Sequence, residues 1–344
     1  MQIVFRVDSS IKMGVGHVMR CLTLADELDS QNHQITFICR NLTGNQIVLI
    51  KQKKYKVITI PIVRNFTTDN IYLDWLGATQ EYDAEQTISV LPKNVELLIV
   101  DSYALDEVWH QRLRKFTEKI IVIDDLADRS FDCDTLINQN LGAQIKNYKG
   151  KVPNDCKLLL GCDYALLRSE FQNLREAALK KRKNTTEVKN ILISLGGIDA
   201  QNRTYDILKE IPDNLHIVVI LGGGSPYNEM IKKYTKNKEN IKVVVDANNI
   251  SELMFNADIS IGAGGSTSWE RCCLGLPTLL YVMAENQRKI AENLEQIGAV
   301  KIVSNLKVDL QNILNNFSIW QVMSERAQTV CDGIGVKRIK IWLN

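Results

Sequence analysis

Short runs of apolar residues alternate with stretches of helical periodicity along the first half of the chain. The apolar runs are almost unbroken valine, isoleucine and leucine, which is typical of parallel strands that helices cover on both faces. This pattern predicts an open, doubly wound α/β sheet. The predicted strands are residues 3–7, 35–39, 57–60, 97–101, 120–123 and 136–138.

The same pattern starts again in the second half, with strands predicted at 191–195, 217–221, 243–245, 259–261, 279–282 and 301–303. Between the halves, residues 171–189 carry a run of lysine and arginine and are expected to form a solvated linker. The sequence therefore predicts two Rossmann-like domains facing across a cleft, with ligands at the carboxyl ends of the strands. The expected domains are 1–170, 190–315, and a helical segment 316–344 that packs back on the N-terminal domain.

Composition narrows the possible functions. The 344 residues suffice for two cores, and a net charge of +2 argues against a nucleic-acid partner. No apolar run approaches the roughly 20 residues that span a bilayer, so stable membrane insertion is not expected. The chain opens directly with a strand and shows no signal peptide, which predicts a cytoplasmic location.

The eight cysteines and four histidines do not have the spacing of a metal site. There is no C-x-x-C pair, and the histidines are scattered along the chain. Cys21, Cys39, Cys272 and Cys273 lie within predicted helices or strands, where a cysteine acts as a small apolar residue. We therefore expect reduced thiols and no metal.

The first twenty residues form a strand, a glycine loop and the start of a helix. Gly14 and Gly16 allow a ligand to approach bare backbone, and His17 places a titratable group on the first helical turn. A helix N-terminus disfavours a protonated imidazole, so His17 is expected to stay neutral and to act as a base, with Asp8 orienting its ring. The alternative is a helix-terminal histidine that bonds only to backbone.

Three glycine-rich turns follow strands in the second half, and the turn at 262–267 has the features of a phosphate-binding loop. Backbone N–H groups of Gly265, Ser266 and Thr267 are predicted to bind a diphosphate. Glu270, one turn further on, fits either two ribose hydroxyls or a complement to the helix dipole, and the sequence leaves this open. The alternative for each loop is that its glycines only permit a tight turn.

Two nucleotide-binding motifs are excluded. The stretch beginning at Gly14 has Met19 at the last position of a G-x-G-x-x-G pattern, and Arg40 follows the second strand where an NAD-binding domain has an acid. The chain also has no G-x-x-x-x-G-K-[ST] sequence. A dehydrogenase or a P-loop ATPase is therefore not expected.

Several motifs together resemble the UDP-2,4-diacetamido-2,4,6-trideoxy-β-L-altropyranose hydrolases of pseudaminic acid biosynthesis, over essentially the whole chain. The most specific are the opening, with Asp8 followed by G-V-G-H at 14–17, and the stretch Y-A-L-L-R at 164–168. The remaining matches are D-S-Y at 101–103, D-D at 124–125, G-C-D at 161–163, Gly196-Gly197 with Asn202, the loop 264–270, and E-N-Q at 285–287.

The resemblance implies a GT-B fold, like that of the transferase that adds GlcNAc in peptidoglycan assembly, together with a UDP-sugar substrate, water as acceptor, and no metal or organic cofactor. It implies that His17 is the catalytic base and that Tyr103 and Asn286 are further catalytic cleft residues. The expected substrate-binding residues are Asp8, Gly14, Gly16, Gly197, Asn202, Gly265, Ser266, Thr267 and Glu270, with Glu270 at the nucleoside.

Water that attacks opposite the departing UDP would invert the anomeric centre. Asp124 and Asp125 could indicate a metal instead, although a polar turn after a strand is favoured. An inverting glycosyltransferase of the same fold is the alternative function, and a non-enzymatic UDP-sugar sensor is a third. The basic and apolar segment 336–342 could touch a membrane in the transferase alternative, but a closing helix is favoured. The exact sugar and the oligomeric state stay open, with a monomer among the options.

Overall fold

The computed structural model describes residues 1–29 and 33–343 and divides the chain into two units. The first comprises Met1–Leu166 together with Gly335–Asn344, and the second comprises Leu167–Ile334. Each unit is built on one parallel sheet with its own hydrophobic core.

The first unit has a seven-stranded sheet in the order β3-β2-β1-β4-β5-β6-β7. Its order reverses between β1 and β4, so the carboxyl ends of these two strands lie side by side, with Val7 paired to Asp101. Ligand sites form at such reversals. The strands are β1 (Gln2–Val7), β2 (Gln34–Arg40), β3 (Lys56–Ile60), β4 (Val95–Asp101), β5 (Thr117–Ile123), β6 (Thr135–Asn138) and β7 (Lys157–Leu160).

Helices cover both faces of this sheet. Alternation along β1 sends Phe5 towards a core that includes Leu22, and sends Val4 towards a second core that includes Trp109. The helices are α1 (Gly16–Asp29), α2 (Ile47–Gln52), α3 (Ile71–Leu76), α4 (Gln80–Val90), α5 (Glu107–Leu113), α6 (Ile145–Tyr148) and the C-terminal helix Gly335–Leu343.

The second unit has a six-stranded sheet in the order β10-β9-β8-β11-β12-β13, which is the same winding. Its strands are β8 (Asn190–Ser194), β9 (His216–Leu221), β10 (Ile241–Val245), β11 (Ile259–Ala263), β12 (Thr278–Tyr281) and β13 (Val300–Ile302). Its helices are α7 (Ser169–Asn184), α8 (Arg203–Glu210), α9 (Asn228–Thr235), α10 (Ile250–Asn256), α11 (Thr267–Cys273), α12 (Arg288–Gln296), α13 (Leu306–Asn315) and α14 (Phe317–Gln328).

The prediction of two doubly wound parallel sheets is confirmed, and a strand lies at each of the twelve predicted places. Strand β7, which has four residues and lies at the edge of the first sheet, was not among the predicted strands. Four residues are too few to show the pattern of apolar positions by which a strand is identified in a sequence. Cys21, Cys39, Cys272 and Cys273 are buried in α1, β2 and α11, as expected of apolar packing.

The expected linker at 171–189 is wrong, because most of it is helix α7 of the second unit. The basic run is also not simply solvated. Arg182 is buried and donates to the carbonyls of Met254 and Ala257, while Lys181 donates to that of Asn256. These cations satisfy the carbonyl groups that the end of α10 leaves unpaired.

The expected segment 316–344 is divided in the structure. Trp320 and Met323 of α14 belong to the core of the second unit, and the Trp320 indole donates to the carbonyl of Asp258 at 2.7 Å. In contrast, Val336 and Ile339 of the C-terminal helix join the first unit's core. Apolar side chains therefore place the switch between units at Gly335 rather than at 316. None of the described helices combines the length and the apolar composition needed to cross a membrane.

Candidate active site

A tight turn after β1 positions the first candidate residue. Gly14 has a φ of 78°, a conformation that costs a residue with a Cβ, and its N–H donates to the carbonyl of Ser10 at 2.8 Å. The chain then enters α1 at Gly16, where an added Cβ would meet nothing within 4 Å. His17 follows on the first turn of the helix and is 8% exposed.

Asp101 holds the His17 ring from the end of β4. Nδ1 of His17 lies 2.6 Å from Oδ1 of Asp101. Arg20, one turn further along α1, grips the same carboxylate with Nη2 at 2.6 Å from Oδ1 and Nε at 2.6 Å from Oδ2. The Asp101 side chain is fully buried. Asp101, at the end of β4, therefore fixes the imidazole of His17 in one orientation, and Arg20 of α1 fixes Asp101.

The Asp101 carboxylate is ionised in this setting. Burial alone would raise the pKa of Asp101, but the charge of Arg20 and the hydrogen bonds from Arg20 and His17 outweigh it and hold this pKa well below its usual range. An ionised carboxylate only accepts hydrogen bonds, so Nδ1 of His17 donates its proton to Asp101. In a neutral ring held in this way, Nε2 carries the lone pair, which is the geometry that a general base requires.

Asp125 and Tyr103 extend the network. Arg20 donates through Nη1 to Oδ2 of Asp125 at 2.6 Å, and the Tyr103 hydroxyl donates to the same oxygen at 2.9 Å. The Tyr103 ring stands edge-on to His17 with 4.6 Å between their centroids. Burial, followed by the charge of Asp125, raises the pKa of Tyr103 well above its usual value, so the phenol stays protonated. The predicted residues His17 and Tyr103 are thus brought together.

The expectation that Asp8 orients His17 is wrong. Oδ1 of Asp8 instead accepts the backbone N–H of Arg40 at 2.6 Å and lies 2.8 Å from Nη1 of Arg6. Asp8 follows β1 directly, and a strand-end carboxylate next to a buried arginine pairs with that cation first. Asp8 nevertheless lines the same pocket as His17 and Asp101.

The acidic pair after β5 is occupied by protein groups. Asp124 accepts from the Tyr148 hydroxyl at 2.8 Å and from the backbone N–H of Ala127 at 2.7 Å, and Asp125 is held by Arg20 and Tyr103. Across the described residues, no group of three or more potential metal-binding side chains is present.

In the second unit, the loop between β11 and α11 carries the predicted phosphate-binding residues. Gly265 and Ser266 precede α11 and Thr267 is its first residue, and the Ser268 N–H donates to the carbonyl of Gly265 at 2.9 Å. Gly265 has open space where a Cβ would be. The buried Arg271 lies beneath this loop and donates to the carbonyl of Ala263 at 2.6 Å.

Glu270 lies one residue before this arginine, with a side chain that is 13% exposed. Its Oε1 is 3.1 Å from Nη2 of Arg168, whereas Oε2 is buried with no hydrogen-bond partner among the described residues. Burial raises the pKa of Glu270 although Arg168 opposes the shift. Glu270 thus offers one carboxylate oxygen to a ligand that can donate hydrogen bonds.

The other predicted residues of the second unit lie in loops at the carboxyl ends of its strands. Gly197 follows β8 in an exposed turn, and Asn202, with a φ of 53°, precedes α8. Asn286 is exposed in the short 3-10 turn after β12. A Cβ at Gly222 would meet the Gly197 carbonyl at 2.0 Å, so the loops after β8 and β9 can approach only because residue 222 is glycine.

The second half of the chain matches a known family. The model of the glycosyltransferase family 28 C-terminal domain matches residues 169–329. These residues are therefore similar to family 28 C-terminal domains. This match spans α7 to α14 and contains Gly197, Asn202, Gly265 and Glu270.

Two curated proteins are similar over most of the chain. An uncharacterized protein of Methanocaldococcus jannaschii is 30% identical over 84% of this chain, which covers 57% of that relative's own length. The UDP-2,4-diacetamido-2,4,6-trideoxy-beta-L-altropyranose hydrolase of Campylobacter jejuni is 28% identical over 87% of this chain and 97% of its own length. The resemblance noted in the sequence is therefore confirmed.

The solved structure of MurG from Acinetobacter baumannii superimposes with a TM-score of 0.65 at 15% identity, covering 99% of both chains. The fold is therefore the GT-B fold, as the resemblance implied. At 15% identity, this likeness shows the fold alone.

The sequence alone assigned no role to Asp101 or Arg20, although both complete the site around His17. Asp101 stands within the D-S-Y motif and Arg20 lies three residues after the G-V-G-H motif, but neither motif says which side chains touch. A signal was available in the predicted topology. In a doubly wound sheet the strand order reverses next to β1, so β4 pairs with β1 on the side opposite β2. An acid at the end of β4 therefore lies near the helix that follows β1.

Proposed function

We propose that this protein hydrolyses UDP-2,4-diacetamido-2,4,6-trideoxy-β-L-altropyranose to UDP and the free sugar in pseudaminic acid biosynthesis. The name of the Campylobacter relative, which this chain covers almost completely, supports the substrate. The observation that carries the chemistry is the buried contact of 2.6 Å between His17 and an ionised Asp101. This contact turns a histidine on a glycine loop into an oriented base.

His17 takes the proton of the attacking water. As the water oxygen bonds to the anomeric carbon, the bond from that carbon to the diphosphate oxygen breaks and its electron pair leaves with UDP. The positive charge that forms on the imidazole is stabilised by Asp101, which Arg20 keeps in place. The proton later passes to solvent, so the reaction balances as UDP-sugar plus water giving UDP plus sugar, without a metal or organic cofactor.

The second unit binds the departing nucleotide. The N–H groups of Gly265, Ser266 and Thr267 bind the diphosphate, and the buried charge of Arg271 beneath the loop favours its negative charge. Oε2 of Glu270 accepts from a ribose hydroxyl. Water attacks opposite this leaving group, so the anomeric centre is inverted.

The remaining predicted residues complete the proposal. Tyr103 acts beside the base as a protonated phenol, and Asn286 acts on the substrate from the second unit. The backbone at Gly14 and Gly16 leaves room beside His17, and Gly197 and Asn202 bind substrate from the loop after β8.

The test is to incubate the protein with a panel of UDP-sugars and follow UDP release, with the diacetamido trideoxy sugar nucleotide included. We expect release from that substrate without any acceptor. In water labelled with ¹⁸O the label should appear in the sugar and not in UDP, because the broken bond is the one to carbon. Proton NMR of the fresh product should show the inverted anomer.

His17→Asn should lose most turnover and keep its affinity for UDP. His216→Asn, which changes an exposed histidine at the start of β9, is the matched control and should behave as wild type. Rapid turnover by His17→Asn, or ¹⁸O found in UDP, would contradict the mechanism. Release of UDP only when a second sugar is added would replace hydrolysis with glycosyl transfer.

A further inference from the structure

Two cysteines of the first unit lie in direct contact. All eight cysteines of the chain fall within the described residues and are free thiols. Sγ of Cys133 is 3.6 Å from Sγ of Cys156, although the two residues are 23 positions apart in sequence. Cys133 is buried, whereas Cys156 is the one cysteine of the eight that is partly exposed. The pair therefore combines a thiol that solvent can reach with a second thiol next to it.

The first sheet brings these two residues together. Cys133 lies two residues before β6 and Cys156 lies one residue before β7, and the two strands pair in parallel. The carbonyl of Asp134 accepts the backbone N–H of Lys157 at 2.9 Å, so the pairing begins beside both cysteines. Neighbouring strands are about 4.8 Å apart, and the Cα atoms that a disulfide joins are about 4.4–6.8 Å apart. The spacing of the strands therefore suits a disulfide at this position.

Cys156 is the thiol that reacts first. The hydrogen bond with Cys133 outweighs burial and the charge of Asp134 and lowers the pKa of the Cys156 thiol. The thiolate is the form that attacks a disulfide, so a lower pKa increases the reactive fraction. The same hydrogen bond, and then burial, raise the pKa of Cys133. At 1% exposure, Cys133 is also shielded from a dissolved oxidant.

We propose that Cys133 and Cys156 are a redox-active pair, which a small-molecule disulfide such as oxidised glutathione converts into an internal disulfide. The Cys156 thiolate attacks one sulfur of oxidised glutathione, and one glutathione leaves as a thiolate. Cys133 then gives its proton to solvent and attacks Sγ of Cys156, and the second glutathione leaves with the electron pair of the mixed disulfide. Two protein thiols are oxidised, and one glutathione disulfide is reduced to two thiols. This inference is independent of the proposed function.

The disulfide joins the edge of the sheet to the strand beside it. β7 is the last strand in the order of the first sheet, and β6 is its neighbour there. A short edge strand opens more readily than the centre of a sheet. The link closes a ring that contains β6 and α6, and it restricts the chain when this segment opens. Because Tyr148 of α6 donates to Asp124 at 2.8 Å, the ring also includes a support of the acidic pair after β5.

The test starts from the reduced protein, which is incubated without denaturant in oxidised glutathione, alkylated, and digested for mass spectrometry. We expect the loss of two of the eight thiols and a pair of peptides linked through Cys133 and Cys156. Amides of β6 and β7 should then exchange hydrogen at least about tenfold more slowly than in the reduced protein. Dithiothreitol should reverse both changes.

Cys156→Ser should lose no thiol and show no change in exchange, whereas Cys133→Ala should stop at a mixed disulfide between Cys156 and glutathione. Cys162→Ser is the matched control, because it changes a buried cysteine at the other end of β7, and it should form the disulfide as wild type does. A wild type that keeps all eight thiols, or that retains bound glutathione, would overturn the redox-active pair. A linked pair with unchanged exchange would overturn the effect on β7. The wild-type result decides alone if a variant fails to fold.

Discussion

His110 gives a prediction about stability that rests on one buried group. The side chain is fully buried on α5, close to the rings of Trp109 and Phe131, and neither ring nitrogen has a hydrogen-bond partner among the described residues. Burial, followed by the charges of Arg129 and Arg114, lowers the pKa of His110 from 6.5 to about 3. The imidazole of His110 is therefore neutral in the folded protein at any pH well above 3.

The unfolded chain protonates His110 near pH 6.5, whereas the folded chain does so only near pH 3. Between these values the unfolded state binds the extra proton, so the free energy of unfolding falls as the pH is lowered. At pH 5 the loss is about 1.5 pKa units at about 1.4 kcal/mol each, or about 2 kcal/mol. This is a large share of a total stability of roughly 5–15 kcal/mol. Above pH 7.5 the effect is absent.

The assay is hydrogen exchange of amides in β4 and β5, which reports on the first unit alone, at several pH values between 5 and 8. His110→Leu removes the titrating group and keeps an apolar side chain. The pH dependence of wild type should exceed that of His110→Leu by about 2 kcal/mol between pH 8 and pH 5. Effects of the other histidines cancel in the comparison. Identical pH profiles for the two proteins would refute the reasoning.

Three further predictions concern the reaction. Asp101→Asn should lower kcat at least 100-fold while calorimetry shows unchanged UDP affinity, because it favours the wrong tautomer of His17; near-normal kcat would contradict the orienting role. Glu270→Gln should weaken UDP binding about tenfold, whereas 2′,3′-dideoxy-UDP should bind both forms equally, and a parallel loss for the two nucleotides would exclude a ribose contact. Chelator should leave UDP release unchanged, since Asp124 and Asp125 are held by protein groups; a loss that magnesium restores would make this pair a metal site.

The sheets could be predicted from the sequence because buried parallel strands are short runs of β-branched and leucine residues. Domain boundaries could not be predicted in the same way. The lysine and arginine run around Arg182 has the composition of a linker, yet its cations cap the carbonyls of α10. The helix after residue 316 is amphipathic, and the pattern does not say which of two cores receives Trp320. Tertiary contacts decide both questions.

For the site, the sequence could predict that His17 stands on a glycine loop, because the strand, the two glycines and the helix are contiguous. Its partner could not be found from neighbouring residues. Asp8 is near in sequence and Asp101 is 84 residues away, but register places Asp101 beside the end of β1. Asp8 is not the partner of His17 because the buried Arg6, within β1, already engages the Asp8 carboxylate. Spacing along the chain carries no information about such competition.

Two buried charge clusters give the site its rigidity. Asp83 accepts Nε and Nη2 of Arg6 and the indole N–H of Trp109, and Arg40 donates to it as well. Burial alone would raise the pKa of Asp83, but the charges of Arg6 and Arg40 outweigh it and lower this pKa. Asp83 is thus ionised, and two buried arginines and one indole N–H hold its carboxylate.

The same cluster fixes Asp8 through Arg6 and the backbone of Arg40, just as Arg20 fixes Asp101. In both cases an arginine holds the carboxylate, so the group need not reorganise when substrate binds. The two carboxylates differ in the number of oxygens that protein groups engage. Both oxygens of Asp101 are engaged by His17 and Arg20, which suits a residue that orients a base. Asp8 keeps one buried oxygen without a hydrogen-bond partner among the described residues, so its carboxylate is anchored through Oδ1.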